Sequence, residues 1–294
     1  MNTEIISIQT EDGVINDGFI LRTSSKKILI ATHGMGSNCF KEREKIIAKK
    51  VLENGIDFFG YNNRGSELVK NIRKNVNGTV KKLLAGTTYE NPKEGYFDIK
   101  AAIKKAVSLG YTDIYLQGHS LGATKVLFTY NKFKNENSEL LKYVKGIILL
   151  SLIDIPKVLK IYLNENYEKM VNLAIQKEDE KKVLELMPRE SFIHPISVKT
   201  FLEYSKYSKE IDFAQYSKKY YEYKELNNIN VPLFMRWGSE NEMIEQPAES
   251  LVNIVSQKIT NNRKDINYIV SADHGYTGKE EILAGEIVEF LNKI

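Results

Sequence analysis

One pentapeptide limits what this chain can fold into more than any other stretch. Gly118-His119-Ser120-Leu121-Gly122 follows the apolar run Asp113–Gln117, which reads as a buried strand, and precedes Ala123–Tyr130, whose composition favours a helix. A strand that passes into a helix through G-x-S-x-G turns so sharply that the central serine takes a strained backbone conformation. Its hydroxyl then stands clear of the sheet edge, and both flanking positions must be small because strand and helix nearly touch.

The rest of the chain supplies the layers such a turn requires. Apolar runs bounded by turn residues predict eight strands: Ile5–Gln9, Gly18–Arg22, Ile28–Thr32, Asp57–Tyr61, Ile114–Gln117, Val144–Leu150, Pro232–Trp237 and Ile266–Val270. The first two are joined near Asp12-Gly13 and read as antiparallel. From the third onward strands alternate with helical patterns such as Lys41–Glu53 and Phe97–Leu109. That alternation implies right-handed crossovers and a mostly parallel sheet with helices on both faces. Residues 155–230 break the rhythm: they are helical in period and rich in tyrosine, and they contain no convincing strand. The polar, lysine-rich stretch Ser66–Pro92 reads as a surface excursion.

Four histidines are present, His33, His119, His194 and His274. His33 opens His33-Gly34-Met35-Gly36 directly after the third strand, and His274 lies in Asp273-His274-Gly275 after the last. A serine hydroxyl is a weak nucleophile near neutral pH and needs a base to accept its proton as it attacks. Ser120 and His274 are the candidate pair, with His274 then protonating the leaving group.

Over nearly its whole length the chain resembles the serine hydrolases of the α/β-hydrolase superfamily. Within them it is similar to a group of esterase-like and aminopeptidase-like proteins. These share a Gly-His-Ser-Leu-Gly turn, an Arg-Gly pair after an earlier strand (here Arg64-Gly65), and an Asp-His-Gly or Asp-His-Ser ending. The resemblance implies an α/β-hydrolase fold: an eight-stranded mostly parallel sheet, a core of residues 1–154 and 231–294, and a helical cap of residues 155–230. It implies an oxyanion hole formed by the backbone N–H groups of Met35 and Leu121. His33 is expected to orient its loop through a hydrogen bond, His119 to pack beside the sheet, and Arg64 to tie loops to backbone carbonyls. In the family pattern the seventh strand is followed by Gly-x-x-Asp, whose aspartate accepts the histidine Nδ1 proton. Here Gly238-Ser239-Glu240-Asn241 places asparagine at that position. Asn241 is therefore expected beside His274, with Asp154, Glu240 and Glu242 as other sources of negative charge.

The expected function is hydrolysis of a small carboxylic ester or thioester through an acyl-serine intermediate, on a small-molecule acyl substrate. The same intermediate serves an acyltransferase or cyclase, and the asparagine also admits a non-catalytic ligand-binding protein on this scaffold. No clustered His, Cys and carboxylate ligands imply a metal, and no organic cofactor is expected. The 42 Lys and Arg are interspersed with 38 Asp and Glu, as in Lys41-Glu42-Arg43-Glu44-Lys45, which describes solvated helix faces. With no basic tract interleaved with aromatics, no nucleic-acid partner is expected. Cys39 is the single cysteine and reads as a small core filler. No run reaches the roughly 18 apolar residues of a membrane span, and the first residues lack a basic-then-apolar leader, so a cytoplasmic location is expected.

Overall fold

A computed structural model describes residues 2–218, 220–240 and 242–294. Strands β1 (Asn2–Gln9) and β2 (Val14–Arg22) form an antiparallel hairpin. They are followed by β3 (Lys27–Thr32), helix α1 (Glu42–Glu53) and β4 (Asp57–Tyr61). A second hairpin, β5 (Lys70–Val76) and β6 (Thr79–Ala85), precedes α2 (Gly95–Ser108), β7 (Asp113–His119), α3 (Leu121–Asn135) and β8 (Val144–Leu150). Helices α4 (Ile155–Leu163), α5 (Tyr167–Asp179), α6 (Val198–Tyr204) and α7 (Lys224–Asn227) separate β8 from β9 (Leu233–Gly238). The chain ends with α8 (Ala248–Lys258), β10 (Lys264–Ile269) and α9 (Glu280–Asn292).

The sheet has the order β10-β9-β8-β7-β3-β4-β2-β5-β6, with β1 on the other edge of β2. From β10 to β4 all neighbours are parallel. Five of them, β3, β4, β7, β8 and β9, are buried on both faces, which is why they read as continuous apolar runs, whereas the edge strand β10 is largely half-exposed. In β3, Ile28 and Ile30 enter the core beneath α2 and α3, while Leu29 and Ala31 enter the core beneath α1 and α9. The side chains of one strand thus serve two layers through the two-residue repeat.

Among the described residues the sheet has ten strands, not the eight expected. Residues 66–92 are not a plain surface excursion, for they contain the β5–β6 hairpin. Thr79 to Leu84 are exposed throughout, so no apolar alternation betrays the strand. The available signal was Asn77-Gly78, whose φ angles of 51° and 83° are those of a tight hairpin turn.

Residues 155–230 divide between two cores. Leu159, Met170, Phe192, Phe201 and Leu202 form a small cluster of their own that rests on Leu121 and Ile153. Phe213, Tyr216, Tyr223 and Leu226 instead join the main core, with the Tyr216 hydroxyl donating to Leu152 O at 2.7 Å. The segment is therefore anchored on the residue that follows Ser120. Among the described residues no helix is long and apolar enough to cross a membrane.

Candidate active site

Ser120 sits between β7 and α3 with φ 55° and ψ −124°. A non-glycine residue in this region is strained, and the surrounding contacts hold it there. Its N–H donates to Leu150 O at 2.8 Å. A β-carbon at position 118 would overlap the backbone of Gly122, and one at position 122 would overlap Thr32 O on β3. Both glycines are thus required by close approach. Ser120 makes no capping bond to α3, so its hydroxyl is directed elsewhere.

The hydroxyl meets His274. Ser120 Oγ lies 2.9 Å from His274 Nε2, and His274 Nδ1 lies 2.6 Å from Glu242 Oε2. The loop after β10 is braced by Asp273, whose Oδ1 accepts from Gly275 N at 2.9 Å and Thr277 N at 2.8 Å. His119 Nε2 donates to His274 O at 2.7 Å. Burial, reinforced by the positive charge of Arg43, keeps the His119 imidazole well below its ordinary range, so it serves as a neutral donor.

The Glu242 side chain is 3% exposed. Its Oε1 accepts from Gly238 N at 2.7 Å and from Ser151 Oγ at 2.6 Å. Both oxygens are therefore occupied, which fixes the carboxylate against the imidazole and meets the hydrogen-bonding needs of a buried anion. Asn241, expected at this place, lies outside the described residues. The carboxylate on His274 is Glu242, four residues after Gly238 rather than three, and the extra methylene of glutamate accompanies the longer spacing. Asp154 does not reach the histidine: its side chain caps α4 by accepting from Lys157 N at 3.0 Å. Glu240 is exposed, and its backbone N–H binds Ala272 O at 2.9 Å.

The loop after β3 closes against the serine turn. A β-carbon on Gly34 would lie 2.8 Å from His119 O and 3.0 Å from Ser120 Cβ, so Met35 follows directly on that contact. Among the described residues no protein acceptor takes the N–H of Met35 or of Leu121. His33 Nδ1 lies 3.0 Å from Gly34 O, and Asn63 N donates to His33 Nε2 at 3.1 Å. Complete burial pushes His33 down to about 3, so the ring is neutral, with its proton on Nδ1. Burial likewise pushes the Cys39 thiol up to about 12, which leaves it unreactive beside the site.

A cavity of about 820 Å³ opens on Ser120 and His274. Its walls are mainly apolar, with Met35, Ile153, Ile155, Val158, Phe192 and Met243 among them, and several belong to residues 155–230. Of the tyrosines in that segment only Tyr162 is part of the lining. His194 also lines it, with Nδ1 donating to Pro195 O at 2.8 Å and burial lowering its affinity for a proton. Lys41, Glu42 and Glu280 form a charged margin on the α1 and α9 side. Arg64 lies outside the cavity. Contrary to expectation it binds carboxylates, those of Asp98 and Asp12 at 3.0 Å and of Glu94 at 3.1 Å, rather than loop carbonyls. Among the described residues no three His, Cys, Asp or Glu are grouped to hold a metal ion.

Comparison with solved structures gives the fold its name. The α/β hydrolase GrgF from Penicillium sp. sh18 superposes over 100% of this chain and 99% of its own, with a TM-score of 0.69 and 16% identity. Est1E from Butyrivibrio proteoclasticus covers 98% of both chains at a TM-score of 0.64 and 15% identity. The Pyrococcus furiosus esterase Pf2001 covers 99% of this chain and 91% of its own at a TM-score of 0.59 and 18% identity. The chain has the α/β-hydrolase fold. No family model and no curated protein matches its sequence.

Proposed function

We propose that this protein is a serine hydrolase that cleaves carboxylic esters or thioesters of apolar acyl groups through an acyl-serine intermediate. The observation that carries the reading is the unbroken relay from Ser120 Oγ to His274 Nε2 and from His274 Nδ1 to Glu242, set in the wall of an apolar cavity. His274 Nε2 takes the serine proton as Oγ attacks the acyl carbon. Glu242 holds the Nδ1 proton and offsets the positive charge that develops on the ring. The N–H groups of Met35 and Leu121 receive the oxyanion, each contributing about 3 kcal/mol of transition-state stabilisation. His274 then protonates the departing alcohol or thiol. Water, activated by the same base, releases the acid and restores Ser120.

Residues 155–230 act in this reading as a helical cap that supplies the acyl wall, with Ile155, Val158 and Phe192 facing the chain. A cavity of this volume suits a ligand well beyond an acetyl group. The test is a chain-length series of p-nitrophenyl esters combined with fluorophosphonate labelling. The wild type should be labelled at Ser120 and should favour medium acyl chains over acetate. Ser120→Ala should lose both properties while its thermal transition stays in place. Turnover that persists in a clean Ser120→Ala preparation would exclude the acyl-serine route.

A further inference from the structure

Behind the serine turn lies an ion pair with almost no access to water. Lys125 on α3 is 1% exposed, Glu90 is completely buried, and Nζ lies 2.6 Å from Glu90 Oε2. Removing two charges from water costs several kcal/mol per ion, and a well-packed apolar pair is often as stable. Stability alone therefore gives little reason for the pair to be there, and its connections indicate another role.

Lys125 Nζ also donates to Asn63 Oδ1 at 3.3 Å. Asn63, fully buried, donates from its backbone N–H to His33 Nε2 and from its side chain to His33 O at 3.2 Å. His33 in turn holds Gly34 O through Nδ1. The C=O of Gly34 and the N–H of Met35 belong to one planar trans peptide unit and point in opposite directions. Holding the oxygen therefore aims the N–H. Glu90 is fixed at the far end, where Oε1 accepts from Thr87 Oγ1 at 3.0 Å and a β-carbon on Gly65 would overlap its carboxylate.

We propose that the buried Lys125–Glu90 pair is a positioning device that sets the direction of the Met35 N–H through Asn63 and His33. This rests on the hydrolase reading for its effect on rate, but not for its effect on the loop. Neither Lys125 nor Glu90 lines the cavity. Losing the pair should therefore cost transition-state stabilisation and leave ground-state binding alone.

The test is the double variant Glu90→Gln with Lys125→Met, which removes both charges together and leaves no lone buried ion. With p-nitrophenyl butyrate, kcat should fall tenfold or more while KM changes less than about twofold. In ¹⁵N spectra the His33 ring should lose its single Nδ1–H tautomer and the Met35 amide signal should shift. If the double variant does not fold, Asn63→Ala cuts the chain at its middle link and carries the same readouts. A folded variant with unaltered His33 and Met35 signals overturns the proposal, whatever its rate. A wild type that hydrolyses no ester and takes no label at Ser120 would instead remove the hydrolase reading, and the spectra would still decide the positioning role.

Discussion

Glu242 reaches His274 across 2.6 Å and is itself gripped by Gly238 N and by the hydroxyl of Ser151. Ser151 stands at the end of β8 with φ 48°, and its N–H donates to Arg236 O at 2.7 Å. The carboxylate is thus placed by the ends of two adjacent parallel strands. One of its oxygens answers the scaffold and the other answers the imidazole.

Glu242→Gln should retain the shape of this arrangement and lose its charge. In serine proteases the equivalent acid-to-amide change costs about 10⁴ in kcat, through the wrong histidine tautomer. A fall of about 10³ to 10⁴ is expected here, with KM for a p-nitrophenyl ester little changed. Asp154→Asn should leave kcat within about threefold. Steady-state kinetics of the two variants side by side check the assignment, and a dead Asp154→Asn beside an active Glu242→Gln would reverse it.

Gly122→Ala should destabilise the fold as well as the site. Its methyl group would enter the space of Thr32 O, a backbone atom of a central strand that cannot swing away. Overpacking typically costs about 1 to 3 kcal/mol, and a rigid obstacle puts this case near the upper end. Urea denaturation should show the loss directly. Unchanged stability would mean that β3 and α3 separate more readily than their packing indicates.

The fold was legible because five of the six parallel strands, β3, β4, β7, β8 and β9, are buried on both faces and so are apolar runs. The β5–β6 hairpin was missed because it projects into solvent, where no apolar pattern is needed. Ser120 and His274 were legible from local motifs on consecutive residues. Glu242 was legible only as one of three alternatives to Asn241, because a loop residue one position beyond the expected spacing is selected by tertiary geometry: the Gly238 N–H and Ser151 come from different strands. The Lys125–Glu90 pair was equally hidden, since 35 residues of chain separate its partners.

Val158→Phe should shorten the acyl preference. Val158 lies on α4 and lines the cavity, so a benzyl group there displaces the distal part of a long chain. Each buried methylene contributes about 0.8 kcal/mol, so excluding two or three lowers kcat/KM for a long ester by roughly 10- to 50-fold. Acetate and propionate esters should be affected less than about threefold. Parallel losses for all chain lengths would show that α4 does not meet the acyl group.

Asp154 predicts a measurable dependence of stability on pH. Burial, with the nearby charge of Asp212, pushes its carboxyl up to about 7, against the opposing pull of the Lys157 N–H and of the Lys157 and Lys218 charges. In the unfolded chain the same group titrates near 3.9. Below about pH 4 both states hold the proton and the group has no effect on stability. Between about pH 4 and 7 the folded protein keeps a proton that the unfolded chain has released, so stability declines as the pH rises, and above 7 the cost is constant. A shift of this size sets an upper bound on the penalty on the order of 4 kcal/mol. Asn can cap a helix as well as Asp, so Asp154→Asn should keep the start of α4 and remove only the charge. Relative to wild type the variant should gain stability as the pH is raised from 4.5 to 8, measured by urea denaturation at each pH. Denaturation midpoints that run parallel across that range would mean that Asp154 is ionised in the folded protein already at pH 4.5.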